Sequence, residues 1–170
     1  MMGLFLEEIE LHQRVPLGSY AFTRENMQAY SRKFDPVGFH VDEEAGRASL
    51  YGAMTAAGLH VASGWMVCFV RTNTAARHIL DAAGKPLPDI GPSPGFKNMK
   101  WLKPVYAGDV VTYFTTAIRL RPLASRPGWG MASSYCEGVN QHGILVFSFE
   151  GAVMTASLNR PIEPAPQPIV

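Results

Sequence analysis

Ser49-Leu50-Tyr51-Gly52-Ala53-Met54-Thr55-Ala56-Ala57-Gly58-Leu59-His60-Val61-Ala62-Ser63-Gly64-Trp65-Met66-Val67-Cys68-Phe69-Val70 is the stretch on which the fold turns. It is apolar on nearly every face and crowded with small residues, among them Gly52, Ala53, Ala56, Ala57, Gly58, Ala62 and Gly64. A helix that is apolar all round is a buried helix. Glycine inside a helix costs about 1 kcal/mol each relative to alanine, so several of them imply compensation by close packing. The pattern predicts one long buried helix from Ser49 to about Val70, with small side chains that let other backbone come near.

Upstream, a short strand is expected at Ser19 to Phe22, then a helix from Arg24 to about Phe34. Thr23 can cap that helix, Glu25 suits its first turn, and Met27, Tyr30 and Phe34 recur at helical spacing. Pro36 forbids Asp35 from remaining helical, so a tight turn through Pro36, Val37 and Gly38 should follow. Asp42 then reads as the N-cap of a short helical segment, Glu43 to Ala48. Downstream, a second helix is expected at Thr74 to Ala83 and a Pro/Gly loop at Gly84 to Gly95. Four strands should follow: Phe96 to Pro104, Asp109 to Leu120, Gly130 to Asn140 and Ile144 to Ala156. Helices first and a run of antiparallel strands afterwards make an α+β arrangement. A curved antiparallel sheet wrapped around one long buried helix is the hot-dog architecture. Residues 1-159 read as a single domain, and residues 160-170, with four prolines, as an extended tail.

The composition narrows the function. Of 170 residues, 47% are apolar and 17% charged, enough for a substantial core. The net charge is +1 and the basic residues are scattered, which argues against nucleic acid as a partner. The N-terminus lacks a positive segment followed by an apolar run, and the Ser49–Val70 stretch is too polar for a membrane span. A cytoplasmic protein is expected, with Cys68 and Cys136 as buried thiols.

The residues that could carry chemistry are concentrated in Asp35-Pro36-Val37-Gly38-Phe39-His40-Val41-Asp42. A carboxylate and an imidazole five positions apart, separated by two turn formers, can face one point, and Phe39 would keep that point dry. Such a pair can divide proton donation and acceptance between its members. The same spacing also suits a plain loop in which Asp35 caps an amide and His40 is a satisfied surface residue. Gly52, at a tight entry to the buried helix, would leave unpaired amides able to hold an oxygen that becomes negative, or would simply permit close packing. His60 on the buried helix reads more readily as a hydrogen-bonded core residue. No further ligands stand at metal-binding spacing around Asp35, His40 and Asp42, so no metal is expected. A nucleophile elbow, a phosphate loop and a dinucleotide fingerprint are all absent.

At these residues the sequence resembles the MaoC-like dehydratases, single-hot-dog relatives of (R)-specific enoyl-CoA hydratases. The resemblance runs from about Ser19 to Thr155. It is carried by Phe34-Asp35-Pro36-Val37-Gly38-Phe39-His40-Val41-Asp42-Glu43-Glu44-Ala45, by Tyr51-Gly52-Ala53-Met54 through Gly58-Leu59-His60, and by Trp101-Leu102-Lys103-Pro104-Val105-Tyr106-Ala107-Gly108-Asp109. It implies a hydro-lyase acting across the 2,3 double bond of an enoyl-CoA or 3-hydroxyacyl-CoA thioester. Asp35 and His40 would be the catalytic pair, and the Gly52 amide would stabilise the thioester oxygen. Phe39 and His60 would lie along the ligand, with Phe39, Trp65 and Met66 near the acyl chain and Lys103, Arg119, Arg121 or Arg126 near the CoA phosphates. No cofactor beyond the coenzyme A of the substrate is implied. A homodimer or a dimer of dimers is expected, paired through sheet edges. The sequence departs from the family at Val37-Gly38-Phe39, where Asn-Pro is usual, and at Ala57, where relatives carry Ser. An acyl-CoA thioesterase or a non-catalytic acyl-CoA-binding protein on the same fold are the alternatives.

Overall fold

The computed structural model describes residues 4–159 and 162. After a short 3₁₀ turn at Leu6–Glu8, the chain forms β1 (Arg14–Ala21), α1 (Arg24–Phe34), α2 (Gly38–Val41), α3 (Glu43–Ala48) and α4 (Gly58–Ala82). It finishes with β2 (Phe96–Trp101), β3 (Val110–Pro122), β4 (Trp129–Asn140) and β5 (Leu145–Ala156). The five strands form one antiparallel sheet in the order β1-β3-β4-β5-β2. Every pairing carries an irregularity of register, such as those between Ala117 and Arg119 and between Lys97 and Lys100. Each break adds local bend and twist, and together they curl the sheet.

The inward face of β4 reads Gly130, Ala132, Ser134, Cys136, Gly138, all buried and all small. That face leaves room for α4, which packs across the concave side. Close approach is clearest at Gly64, where a Cβ would stand 2.8 Å from the Tyr113 hydroxyl and 3.2 Å from the Phe22 ring. The same hydroxyl donates to the Val61 carbonyl at 2.8 Å, fastening helix to sheet. Around this contact lie Phe22, Met27, Val61, Trp65, Tyr113, Phe147 and Phe149, the centre of the main core. The fold is the α+β hot-dog: a curved antiparallel sheet around one long helix.

The expected helices need correction. Residues 49 to 57 are not helical, and what was read as two helices is the single α4, Gly58–Ala82. The stretch before it is tied down as extended chain: Thr55 donates its amide to the Phe39 carbonyl and Ala56 to the Val105 carbonyl. Small apolar residues suit a helix and a buried extended segment alike, so their pattern did not mark the boundary. Across the expected break, Thr72 donates its hydroxyl to the Leu17 carbonyl and the Asn73 amide donates to the Phe69 carbonyl, so two polar residues are absorbed without ending the helix. Nor is α4 buried all round, since Leu59, Met66, Val70 and Ile79 are exposed along its outer side. The first strand begins at Arg14, earlier than Ser19. Among the described residues, no helix is long and apolar enough to cross a membrane. The expected tail at 160-170 lies outside the described residues except for Ile162, which packs on a second small core of Leu6, Ile9, Ala117 and Ala132.

Candidate active site

Local sequence places the acid and the imidazole on either side of one bend. The α1 helix starts at a Thr23 cap, whose hydroxyl accepts from the Asn26 amide, and ends where Pro36 prevents continuation. Asp35 is its C-cap, and its own amide donates to the Ser31 carbonyl at 2.9 Å. The chain then makes a single helical turn, α2, which carries Phe39 and His40. Asp42 does not reach the pair, because its carboxylate accepts the Ala45 amide at 2.8 Å and caps α3. The Nε2 atom of His40 stands 3.7 Å from Oδ2 of Asp35. That distance exceeds a hydrogen bond and suits two groups that share one small molecule between them.

The other face of the His40 ring fixes its proton. Nδ1 lies 2.7 Å from the Thr55 carbonyl, which can only accept, so Nδ1 carries the hydrogen. In the neutral ring Nε2 is then the basic nitrogen, and it is the one turned toward Asp35. Phe39 lies edge-on to the ring with centroids 4.4 Å apart and leans on Tyr51 at 5.2 Å. The His40 side chain is 12% exposed and that of Asp35 42%, so the imidazole is sheltered while the carboxylate faces outward.

Beside the pair is a cleft of about 290 Å³, lined by Phe39, His40, Tyr51, Thr55, Gly58, Val61, Trp101, Lys103 and Val105 among others. Gly58 is the first residue of α4, and its amide and that of Leu59 have no hydrogen-bond partner among the described residues. Trp101 packs on this glycine: its indole donates to the Gly58 carbonyl at 2.7 Å, and a Cβ on Gly58 would meet the indole at 3.0 Å. A free amide at the positive end of a 25-residue helix, on the wall of the cleft that holds His40, is placed to bind an oxygen gaining negative charge.

Two expected site residues move out. Gly52 lies six positions before the helix, exposed in the preceding turn at φ +68°, and its amide already donates to the Ser49 carbonyl at 3.1 Å. It is a turn glycine, and the helix N-terminus at which it was expected falls at Gly58. His60 does not line the cleft. Its ring is buried between α1 and α4, stacked on Tyr30 at 4.4 Å and 5°, edge-on to Phe22 at 5.1 Å, with the Tyr20 hydroxyl 3.2 Å from Nε2. Burial pushes its pKa down to about 4, and Nδ1 has no hydrogen-bond partner among the described residues. Phe39 and Lys103 do line the cleft, whereas Arg119, Arg121 and Arg126 do not. Thr55, Tyr51, Gly58 and Trp101 were not singled out from the sequence. The signal for Gly58 is the start of the uninterrupted apolar helix just after Ala57, visible only once the chain before it is known to be extended. Cys68 and Cys136 are buried free thiols, as expected. Among the described residues no three His, Cys, Asp or Glu side chains converge.

Fold and cleft define a hot-dog protein with an acid–imidazole pair beside a helix N-terminus. A MaoC-like dehydratase from Rhodospirillum rubrum is 28% identical, superposes with a TM-score of 0.71, and is matched over 94% of this chain and 99% of its own. An R-hydratase from Pseudomonas aeruginosa, 15% identical, shares the fold at a TM-score of 0.60 over 99% of this chain and 96% of its own. A Mycobacterium tuberculosis protein described as a double hot-dog fold, 14% identical, matches with a TM-score of 0.70 over 96% of this chain but 47% of its own. No protein-family profile matches the chain and no curated protein is significantly similar to it. With the Asp35–His40 segment in place on this fold, the chain is similar in sequence and structure to that MaoC-like dehydratase and shares its hot-dog fold.

Proposed function

We propose that this protein is a hydro-lyase that adds water to, or removes it from, the 2,3 double bond of an enoyl thioester carried on coenzyme A. The observation that carries the reading is the 3.7 Å separation of His40 Nε2 and Asp35 Oδ2, beside a cleft walled by the free Gly58 amide. A water held between the two groups offers its oxygen to C3 of the substrate. As the O–C3 bond forms, one water proton passes to the pair and the π electrons move onto the thioester oxygen. The Gly58 N–H, already oriented by α4, stabilises that oxygen, and one such donor is worth about 3 kcal/mol of barrier. The enolate then collapses as the pair delivers a proton to C2, so both elements of one water add to the same face. The Thr55 carbonyl holds His40 in the tautomer the first step needs. Protein groups supply every proton transfer in this scheme.

The same reading includes a second copy of the chain. Among the described residues the β2 edge of the sheet has no further strand beside it, and Leu59, Met66 and Val70 expose apolar surface along α4. A homodimer paired across these surfaces would cover them. The neighbour that holds two hot-dog units in one chain supports such a pairing.

The test is loss of enoyl thioester absorbance with trans-2-enoyl-CoA in water. Activity in the parent, abolished in Asp35→Asn and His40→Gln with circular dichroism unchanged, supports the assignment. Equal behaviour of all three proteins, or release of free thiol from saturated acyl-CoA, overturns it.

A further inference from the structure

Two cavities lie along α4, one at its N-terminal end beside Trp101 and the other further on, between the helix and the sheet. Gly58 and Val61 of α4 and Trp101 at the end of β2 belong to the cleft with His40. One helical turn further on, about 6 Å by the rise of an α-helix, Trp65 and Phe69 begin a second cavity, which reaches Phe96 at the start of β2. This second cavity measures about 100 Å³ and exists because the sheet beneath it carries Ala132, Ser134, Gly151 and Ala152, too small to fill it.

What divides the two is a file of aromatic rings. Trp65 stacks on Phe69 at 4.7 Å and meets Phe149 edge-on at 4.8 Å. Phe149 lies 5.5 Å from Phe147, which in turn lies 6.0 Å from Trp101. The rings therefore run from α4 across β5 to β2, from the lining of the second cavity at Trp65 and Phe149 to that of the cleft at Trp101. Trp65 is 6% exposed and Phe149 2%, so neither can swing aside without displacing packed neighbours.

We propose that Trp65 and Phe149 limit the acyl group of the substrate to a short chain, and that the cavity behind them would take a longer tail if the partition were thinned. The proposal rests on the enoyl-thioester reading above and specifies its substrate class. A chain that enters with its carbonyl at Gly58 runs toward Val61 and meets Trp65 one turn later. Each further methylene must displace an aromatic ring rather than bury itself, and a single misfit methylene changes specificity by about tenfold or more. The indole Nε1–H of Trp65 is buried without an acceptor, so a phenylalanine ring here would keep the partition with no hydrogen bond lost.

The experiment compares kcat/KM for trans-2-enoyl-CoAs of four, six, eight and twelve carbons in the parent, Trp65→Ala, Trp65→Phe and Phe149→Leu proteins. The parent should favour the four-carbon substrate over the eight-carbon one by about tenfold or more. Trp65→Ala should raise the eight-to-four ratio by a similar factor, Phe149→Leu should raise it less, and Trp65→Phe should keep the parent ratio. A parent that turns over twelve carbons as well as four, or ratios that are the same in all four folded proteins, overturns the proposal. Should Trp65→Ala fail to fold, Phe149→Leu decides it. Calorimetric binding of saturated acyl-CoAs of the same lengths separates the two levels. A short-chain preference in binding without any turnover sinks the hydro-lyase reading and upholds the partition. Turnover without a length preference does the reverse.

Discussion

His40, on α2, and His60, on α4, stand in contrasting surroundings. The His40 ring gives one nitrogen to a backbone carbonyl and leaves the other facing a carboxylate at 3.7 Å in an open cleft. The His60 ring is sandwiched by Tyr30, Phe22 and Tyr20, is 3% exposed and opens on nothing. Both belong to a stretch that resembles the family, and both are sheltered. What separates them is whether a ring nitrogen has a titratable partner across a space that a substrate can enter. Burial alone makes a histidine inert, because it holds the ring neutral and leaves nothing to exchange a proton with.

The comparison can be broken most severely at the pair. Asp35→Asn and His40→Gln should each lower kcat/KM by about 10² to 10⁴-fold, the range for a positioned proton-transfer group, with melting temperature little changed. Mutation of His60 should do the opposite. His60→Ala removes a stacked ring between α1 and α4 and should lower stability by about 3 kcal/mol, read by chemical denaturation. Its effect on kcat, measured well below the transition, should stay under about tenfold, which is about 1.4 kcal/mol of barrier.

The acid limb of stability sharpens the same point. The His60 pKa is pushed down to about 4 in the folded protein, against about 6.5 in the unfolded chain. Between these values the unfolded state binds the extra proton, so stability is complete above about pH 6.5 and is lost as pH falls toward 4. The slope should reach about 1.4 kcal/mol per pH unit and the whole window about 3 kcal/mol. His60→Phe should flatten this limb relative to the parent, and identical pH profiles would show that the ring is not held neutral by its burial.

Smaller effects separate the two glycines. Gly58→Ala forces a methyl against the Trp101 indole at 3.0 Å and shifts the start of α4, and kcat/KM should fall by roughly ten- to a hundredfold. Gly52→Ala, at φ +68°, should cost about 1 to 2 kcal/mol of stability and leave kcat nearly as it was. A larger loss of kcat from Gly52→Ala than from Gly58→Ala would restore Gly52 as the oxyanion donor.

The pair was legible in the sequence because its geometry is local. Pro36 ends α1 at Asp35, and five residues later His40 comes round the bend; that spacing also suits a plain loop, and the resemblance to the dehydratases chose between the two readings. The strands of the second half were legible for a similar reason, since turn residues such as Ala107-Gly108-Asp109 and Gln141-His142-Gly143 bracket alternating runs. The start of α4 was not. Residues 49 to 53 form a turn, and Thr55 and Ala56 are then held extended by the carbonyls of Phe39 and Val105, the second some fifty positions away, and no local pattern shows that. That one error placed the helix N-terminus nine residues early, at Ser49 instead of Gly58, and with it the unpaired amides proposed to hold the thioester oxygen. The stacking of His60 on Tyr30 joins α4 to α1 and was hidden for the same reason.

The central claim is that Asp35 and His40 act together on one water at one face of the substrate. Hydration of a trans-2-enoyl-CoA in deuterium oxide, with the product configuration at C2 and C3 resolved by proton NMR, tests it most directly. The account predicts a single diastereomer with hydroxyl and deuterium added to the same face. Addition to opposite faces, or a mixture of both, would require proton donor and water to stand on different sides of the cleft and would contradict it.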